Sequence, residues 1–249
     1  MWERLVVEGK SELEDPVLIV SLSTGLSQYR AMYSQARELA AFVLKEVRFE
    51  RLATIYSSGL PPVAVVSDEG TVRLSSATFY GHRGERDVLL LAGDSSPQDY
   101  QYEFAESVLR FAGSLGAKEM ISIGARWTEQ VAPPAAVPRL TGFAGDEAGV
   151  EVLKGHGIEV VKDEPAPFFA SLIVALAGEF GMRGYKLSVD HGEPTPHPLS
   201  VIQLLRVLEK MAGLRVDTEE LEGRAREMAK EISSLAEQES PPERGGVYG

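Results

Sequence analysis

The chain has 249 residues, of which 44% are apolar and 25% charged, a balance typical of one globular domain with or without an appendage. Because it contains no cysteine, disulfide scaffolds, iron–sulfur clusters, thiolate zinc sites and thiol nucleophiles are excluded. The 25 Lys and Arg residues against 37 Asp and Glu residues give a net charge of −12, which disfavours nucleic acid as a partner.

The amino-terminal segment, residues 1–8, carries a charge every few positions and lacks the apolar run of a signal peptide. No stretch of about 18 apolar residues, the length needed to cross a bilayer, occurs along the chain. We therefore expect a cytoplasmic protein that does not bind membranes. Asparagine is absent and Arg outnumbers Lys, a composition that favours a thermophilic source.

Short aliphatic and β-branched runs alternate along the chain with longer segments of helical period. The predicted strands span residues 17–22, 52–56, 63–66, 72–80, 87–92, 120–124, 139–143, 158–161 and 185–189. The predicted helices span residues 29–47, 99–115, 146–154, 167–180 and 198–212. Asp68-Glu69-Gly70 predicts a hairpin turn. The repeated strand–helix order predicts an α/β fold at 1–216, a three-layer sandwich with a mainly parallel central sheet.

The last part of the chain differs in pattern from the rest. Residues 217–238 predict one amphipathic helix with a narrow apolar seam. The seam consists of Leu221, Ala225, Met228, Ile232 and Leu235. It fits either an oligomer contact or packing against the helix's own domain. The following segment, 239–249, begins with Pro, Gly and charged residues that predict a flexible tether.

Several short segments carry a family resemblance. In chain order they are Leu60-Pro61-Pro62-Val63, residues 87–94 (DVLLLAGD), Ser95-Ser96-Pro97-Gln98, residues 102–106 (YEFAE), Pro196-His197-Pro198, Gly213-Leu214 and Val216-Asp217. Together they resemble the archaeal proteasome-assembly-chaperone family, homologous to the eukaryotic proteasome assembly chaperones, over nearly the whole chain. The resemblance implies a fold similar to the nucleoside-phosphorylase scaffold.

The chain ends in Val247-Tyr248-Gly249, which matches the hydrophobic–Tyr–any-residue (HbYX) tail that members of this family and many proteasome regulators dock on the proteasome core. A carboxylate on Gly249 would meet a pocket cation, the Tyr248 ring would add a flat apolar face with a hydroxyl, and Val247 would fix the register. The resemblance thus implies the α subunits of the core particle as partners, for a homo-oligomer acting as an assembly chaperone or as an activator or adaptor. The alternative is a frayed end that contains tyrosine by chance.

A second hypothesis is a nucleoside-phosphorylase-like enzyme or small-molecule-binding protein. Its candidate pocket is Asp94 and Ser95, which follow a predicted central strand, with Arg126 as a cation for an anionic group. The loop Asp190-His191-Gly192-Glu193, followed by His197, has side chains that could bind a metal, but the order of its residues matches no zinc signature. We expect no catalytic residues, no metal and no cofactor.

Overall fold

The computed structural model describes residues 1–23, 34–66, 68–93, 95–127, 137–191 and 198–239. The strands are β1 Glu3–Val7, β2 Val17–Leu22, β3 Glu50–Ser57, β4 Ala64–Val66, β5 Val72–Leu74, β6 Ala77–His82, β7 Val88–Gly93, β8 Glu119–Trp127, β9 Leu140–Ala144, β10 Glu159–Val160 and β11 Arg183–His191. The helices are α1 Gln35–Glu46, α2 Gln101–Ser114, α3 Glu147–Gly155, α4 Phe169–Ala177, α5 Pro198–Ala212 and α6 Glu219–Glu239.

Nine strands form the central sheet, in the order β1-β3-β6-β7-β2-β8-β11-β9-β10. The four central strands, β7, β2, β8 and β11, are parallel to one another, and β10 is parallel to β9. The other four pairings are antiparallel. The predicted α/β class is therefore confirmed, but parallel pairing is limited mostly to the centre of the sheet. Short connections such as 83–87, between β6 and β7, join antiparallel neighbours, whereas parallel neighbours need a longer crossover.

Helices cover both faces of the sheet, as the three-layer prediction requires. The first core cluster lies between the sheet, α1 and α5 and includes Val17, Ile19 and Leu39. The second lies between the opposite face, α2 and α4 and includes Leu18 and Phe104. Because successive residues of β2 point into different clusters, every residue of the run 17–22 is buried. This explains why the central strands are apolar throughout instead of alternating.

The structure differs from the sequence predictions at one side of the sheet. The predicted strand at 72–80 is two strands, β5 and β6, and the hairpin predicted around Asp68-Glu69-Gly70 is the separate two-stranded sheet β4–β5. Gly70 has the positive φ of 77° that this turn requires. Strand β1 was not predicted, because its charged and half-exposed residues resemble a solvated terminus; it pairs antiparallel with β3 at the sheet edge.

Helices α1 and α3 each begin after a polar residue whose side chain caps the helix. The Ser34 side chain accepts a hydrogen bond from the Arg37 amide at 3.2 Å, and the Asp146 side chain accepts one from the Gly149 amide at 2.6 Å. Helix α5 has the predicted bounds. The described part of the first predicted helix begins at Gln35, and residues 29–33 lie outside the described residues. None of the described helices is both long and apolar enough for a transmembrane span.

Candidate functional site

The carboxyl ends of β7, β2, β8 and β11 meet at one edge of the sheet, where open α/β sheets bind ligands. Of the predicted pocket residues, Asp94 lies outside the described residues, and Ser95 is half-buried directly after β7. The Ser96 amide donates a hydrogen bond to the Ser23 carbonyl oxygen at 2.7 Å. The chain leaving β7 is therefore attached to the end of β2, the strand that separates β7 from β8.

Arg126, the predicted cation of this pocket, already has acidic partners. Its Nη2 lies 2.5 Å from Glu164 Oε1, and its Nη1 lies 3.5 Å from Asp190 Oδ1. Asp190 also contacts Arg139, which in turn pairs with Glu159 at 3.1 Å. The hydrogen bond that Arg126 donates to Glu164 is the main reason why the pKa of Arg126 is raised above its ordinary value. Arg126 stays cationic, but its charge is compensated, so the phosphorylase-like pocket stays a prediction.

Next to this ion-pair chain lies a lysine that the sequence analysis did not single out. Lys186, in the middle of β11, is 5% exposed. Its Nζ donates a hydrogen bond of 3.3 Å to the Leu187 carbonyl oxygen, and no carboxylate on the described part of the chain forms an ion pair with it. Burial lowers the pKa of Lys186 from 10.5 to about 7, since removing the ammonium from water disfavours its charged form.

The lysine side chain occupies space left by a glycine on the neighbouring strand. In the register of β8 and β11, Lys186 lies opposite Ser122, and its Nζ reaches over Gly124, where a Cβ would overlap it. The Ser122 hydroxyl is fully buried and has no hydrogen-bond partner in the part of the chain that the structure describes. Lys186, Ser122 and Gly124 thus form a buried polar cluster, which we call the lysine cluster, on the sheet face covered by α2 and α4.

A weak signal of this cluster exists in the sequence. Residues 185–190, Tyr-Lys-Leu-Ser-Val-Asp, alternate strictly between bulky and polar residues, the pattern of a strand with one solvated face. However, β11 is a central strand, and α4 packs across this face. The signal in the sequence is therefore the alternation of polar residues over 185–190. Knowledge of the sheet order is needed to recognise that these polar residues are buried, because the order shows that β11 is a central strand.

The amino-terminal half of α6 packs on the domain. Leu221 is fully buried in the first core cluster and Ala225 is 8% exposed. Glu220 forms an ion pair with Lys45 of α1, and Arg224 Nη2 lies 2.7 Å from Glu38 Oε1. The division of the chain at 216/217 stays a prediction, but this half of α6 shares the core of the α/β domain.

A groove of about 410 Å³ runs between α5 and α6. Its apolar lining is Leu199, Ile202, Ala225 and Ala229, with Arg206 and Glu222 among its polar groups. Met228 of the seam is half-buried, and the side chains of Ile232 and Leu235 lie outside the described residues. The groove therefore marks the place where the seam leaves the domain core and becomes accessible.

The remaining predicted site residues, or their side chains, are not among those that the structure describes. Val247, Tyr248 and Gly249 belong to the segment 240–249, outside the described residues. Glu193 and His197 of the candidate metal loop and the side chain of His191 also lie outside the described residues. Among the side chains that are described, no group of three or more His, Asp or Glu residues is arranged to hold a metal ion.

The fold and the polar sheet edge define a three-layer α/β protein with an appended carboxy-terminal helix. The sequence matches the PAC2 family over residues 36–236, and the chain belongs to that family. A protein of Methanocaldococcus jannaschii is 24% identical over 203 residues, which are 80% of this chain and 77% of that protein.

Two solved structures from Pyrococcus furiosus share the fold. The structure of PbaB, described as an archaeal proteasome activator, matches with a TM-score of 0.79 and 20% identity over 94% of this chain and 98% of that one. The structure of PbaA, an archaeal homologue of proteasome-assembly chaperone, matches with a TM-score of 0.73 and 20% identity, covering 95% of this chain and 92% of that chain. The predicted family resemblance is confirmed.

Proposed function

We propose that this protein acts on the proteasome, as an assembly chaperone or as an activator or adaptor, and docks its Val247-Tyr248-Gly249 tail into pockets of the core particle's α-ring. The observation that carries the proposal is membership of the PAC2 family over residues 36–236, joined to an HbYX tail after a Pro- and Gly-containing segment. The fold shared with PbaB and PbaA supports the same role.

The chemistry of the tail suits a pocket that carries a cation beside an apolar groove. A carboxylate at Gly249 forms a charge-assisted bond with a pocket lysine, and Tyr248 contributes a large planar contact at a small loss of rotamer freedom. Val247 fills an apolar groove and sets the register, as in other modes of carboxylate capture. Three residues bury little area, so one tail alone binds weakly.

Reach and valency compensate for the small contact. Helix α6 ends at Glu239, and the seven residues 240–246 span at most about 23–25 Å when extended. A homo-oligomer in which copies associate through the accessible part of the α6 seam would present several tails at once. Their effective concentration would raise the overall affinity without a new contact. The proposed location is the cytoplasm, where the core particle would be available.

Binding to purified core particle tests the tail. The panel consists of the full chain, Tyr248→Ala, a variant lacking residues 247–249, and a variant with one residue appended to Gly249. We expect the last three to bind at least about tenfold more weakly, since a lost charge-assisted or aromatic contact is worth about 1.4 kcal/mol or more. Tyr102→Ala is the matched control, because Tyr102 is 65% exposed on α2, and it should bind like the full chain.

Equal binding by all five proteins would refute tail docking. A second measurement separates the two roles: stimulation of peptide hydrolysis by finished core particle indicates an activator, whereas faster formation of core particle from separate subunits indicates an assembly chaperone. If the protein binds the core particle but has neither effect, its role is that of an adaptor.

A further inference from the structure

The lysine cluster has donors without acceptors. An ammonium carries three N–H donors, and among the described residues Nζ of Lys186 has the Leu187 carbonyl oxygen as its acceptor. The Ser122 hydroxyl on the opposite strand is buried, and none of the described residues forms a hydrogen bond with it. Buried polar groups are nearly always satisfied, because an unsatisfied one loses its bonds to water without replacement. Two neighbouring strands thus carry these polar groups on the same face of the sheet.

The lysine points toward the ligand-binding edge of the sheet. Its backbone pairs with Ser122, but its Nζ reaches over Gly124, two residues nearer the carboxyl end of β8. With a larger residue at 124 the amine would be displaced. The side chain therefore runs along β8 toward Arg126 and Asp190, the edge at which open α/β sheets bind ligands.

Helix α4 adds a positive end beside this amine. Val174 of α4 packs against Gly184 of β11, near the amino end of that strand. From Val174 to Phe169 the helix rises about 7.5 Å, and from Gly184 to Lys186 the strand rises about 6.6 Å. Because α4 runs antiparallel to β11, its first turn lies level with Lys186.

The start of α4 has no side-chain cap. Its N-cap residue is Phe168, which makes no capping hydrogen bond and adopts a positive φ of 75°. Such a backbone conformation is rare for an aromatic residue and is often found at functional sites. The first amides of a helix and its dipole both favour an anion, and α4 covers the sheet face on which the buried amine of Lys186 lies.

We propose that Lys186 Nζ, Ser122 Oγ and the first turn of α4 bind a small oxyanion, the phosphate or carboxylate group of a small molecule that enters from the carboxyl edge of β8 and β11. The oxyanion accepts hydrogen bonds from the amine and the hydroxyl, and it supplies the negative charge that the described protein groups do not. The compensated Arg126–Glu164–Asp190 chain lies at the entrance, where its acidic members disfavour large polyanions.

Calorimetric titration with inorganic phosphate, and separately with acetate, at constant ionic strength tests the site. Lys186→Met removes the amine with little change in side-chain length, and Ser122→Ala removes the hydroxyl. We expect Lys186→Met to weaken binding by about tenfold to a hundredfold, since it removes a charge-assisted contact, and Ser122→Ala by less. Lys154→Met, at an exposed lysine of α3, is the control and should bind like the unaltered chain.

A spectroscopic titration of the unaltered protein provides a second readout. The NMR signal of the Lys186 side chain should titrate at higher pH when phosphate or acetate is bound, because an anion stabilises the ammonium. No binding of either anion, equal binding by Lys186→Met, or an unchanged Lys186 titration would refute the site. The measurements use no proteasome, so their outcome is independent of tail docking.

Discussion

At position 186 the folded protein holds a lysine that is 5% exposed, with no ion pair among the described residues. The unfolded chain holds the same lysine with its ordinary pKa of 10.5, whereas the folded value is about 7. Below pH 7 both states are protonated, and the full penalty for burying the charge falls on the folded state. Between pH 7 and 10.5 the unfolded state binds more protons, so this penalty declines as the pH rises.

Replacement of Lys186 by Met should therefore stabilise the protein most at low pH. We expect the gain in unfolding free energy to be largest below pH 7 and to shrink above it, by up to about 1.4 kcal/mol per pH unit. Denaturant unfolding of both proteins at several pH values measures it, and the difference between them cancels other titrating groups. A gain that is constant with pH would show that Lys186 has an ordinary pKa in the folded state.

The glycine opposite this amine leads to a second prediction. Gly124→Ala places a methyl group where Nζ lies, so the lysine must move within a packed interior, and we expect a loss of about 1–3 kcal/mol. In a Lys186→Ala background the same change should cost much less, because the overlapping atoms are gone. Unfolding of the four proteins of this double-mutant cycle measures the coupling. Additive effects would mean that the two side chains do not compete for space.

Among the elements, α6 is packed on the domain in its first half, whereas its described side chains from residue 226 onwards are exposed or half-buried. Its first half shows why the seam alone did not decide between domain and oligomer packing: Leu221 lies in the core, but Met228 is half-buried. Spacings of three and four residues indicate only that a helix has an apolar stripe. Which surface this stripe packs against depends on where α5 ends and on the direction in which α6 continues.

Leu221→Ala tests this arrangement. We expect a loss of about 2–5 kcal/mol in unfolding free energy, since a fully buried leucine is truncated. Glu227→Ala, at an exposed position of the same helix, should change stability by less than about 0.5 kcal/mol. Similar small effects of both substitutions would show that the first half of α6 is not docked on α1 and α5 in solution.

The sequence predicted the bounds of strands and helices correctly where the pattern of burial is regular. Strand β2 and helix α5 have the predicted bounds, because one is apolar on both faces and the other has a clear helical period. The hairpin β4–β5 was predicted from its turn, but its end was not, since residues 72–80 form one strand-like segment in the sequence, whereas Val72–Leu74 and Ala77–His82 are separate strands. Only the pairing of β6 with β3 and β7 separates them.

At the scale of the whole molecule, the proposed function depends on how many tails one particle presents. We expect native mass measurement to give a homo-oligomer for the full chain and for the variant lacking residues 247–249. Removal of residues 226–249 takes away the accessible seam and should give a single chain. A monomeric full-length protein would contradict the proposed oligomer and with it the gain in affinity from several tails.

The sequence by itself determined the α/β class, most strand and helix positions, and the family resemblance. These depend on local periodicity and on short motifs, which are complete within a few residues. The tertiary structure decided which strands are parallel and that Arg126 is paired with Glu164 and Asp190. It also decided that Lys186 is buried, because alternation shows that a strand has a polar face, but only the packing of α4 across that face removes it from water.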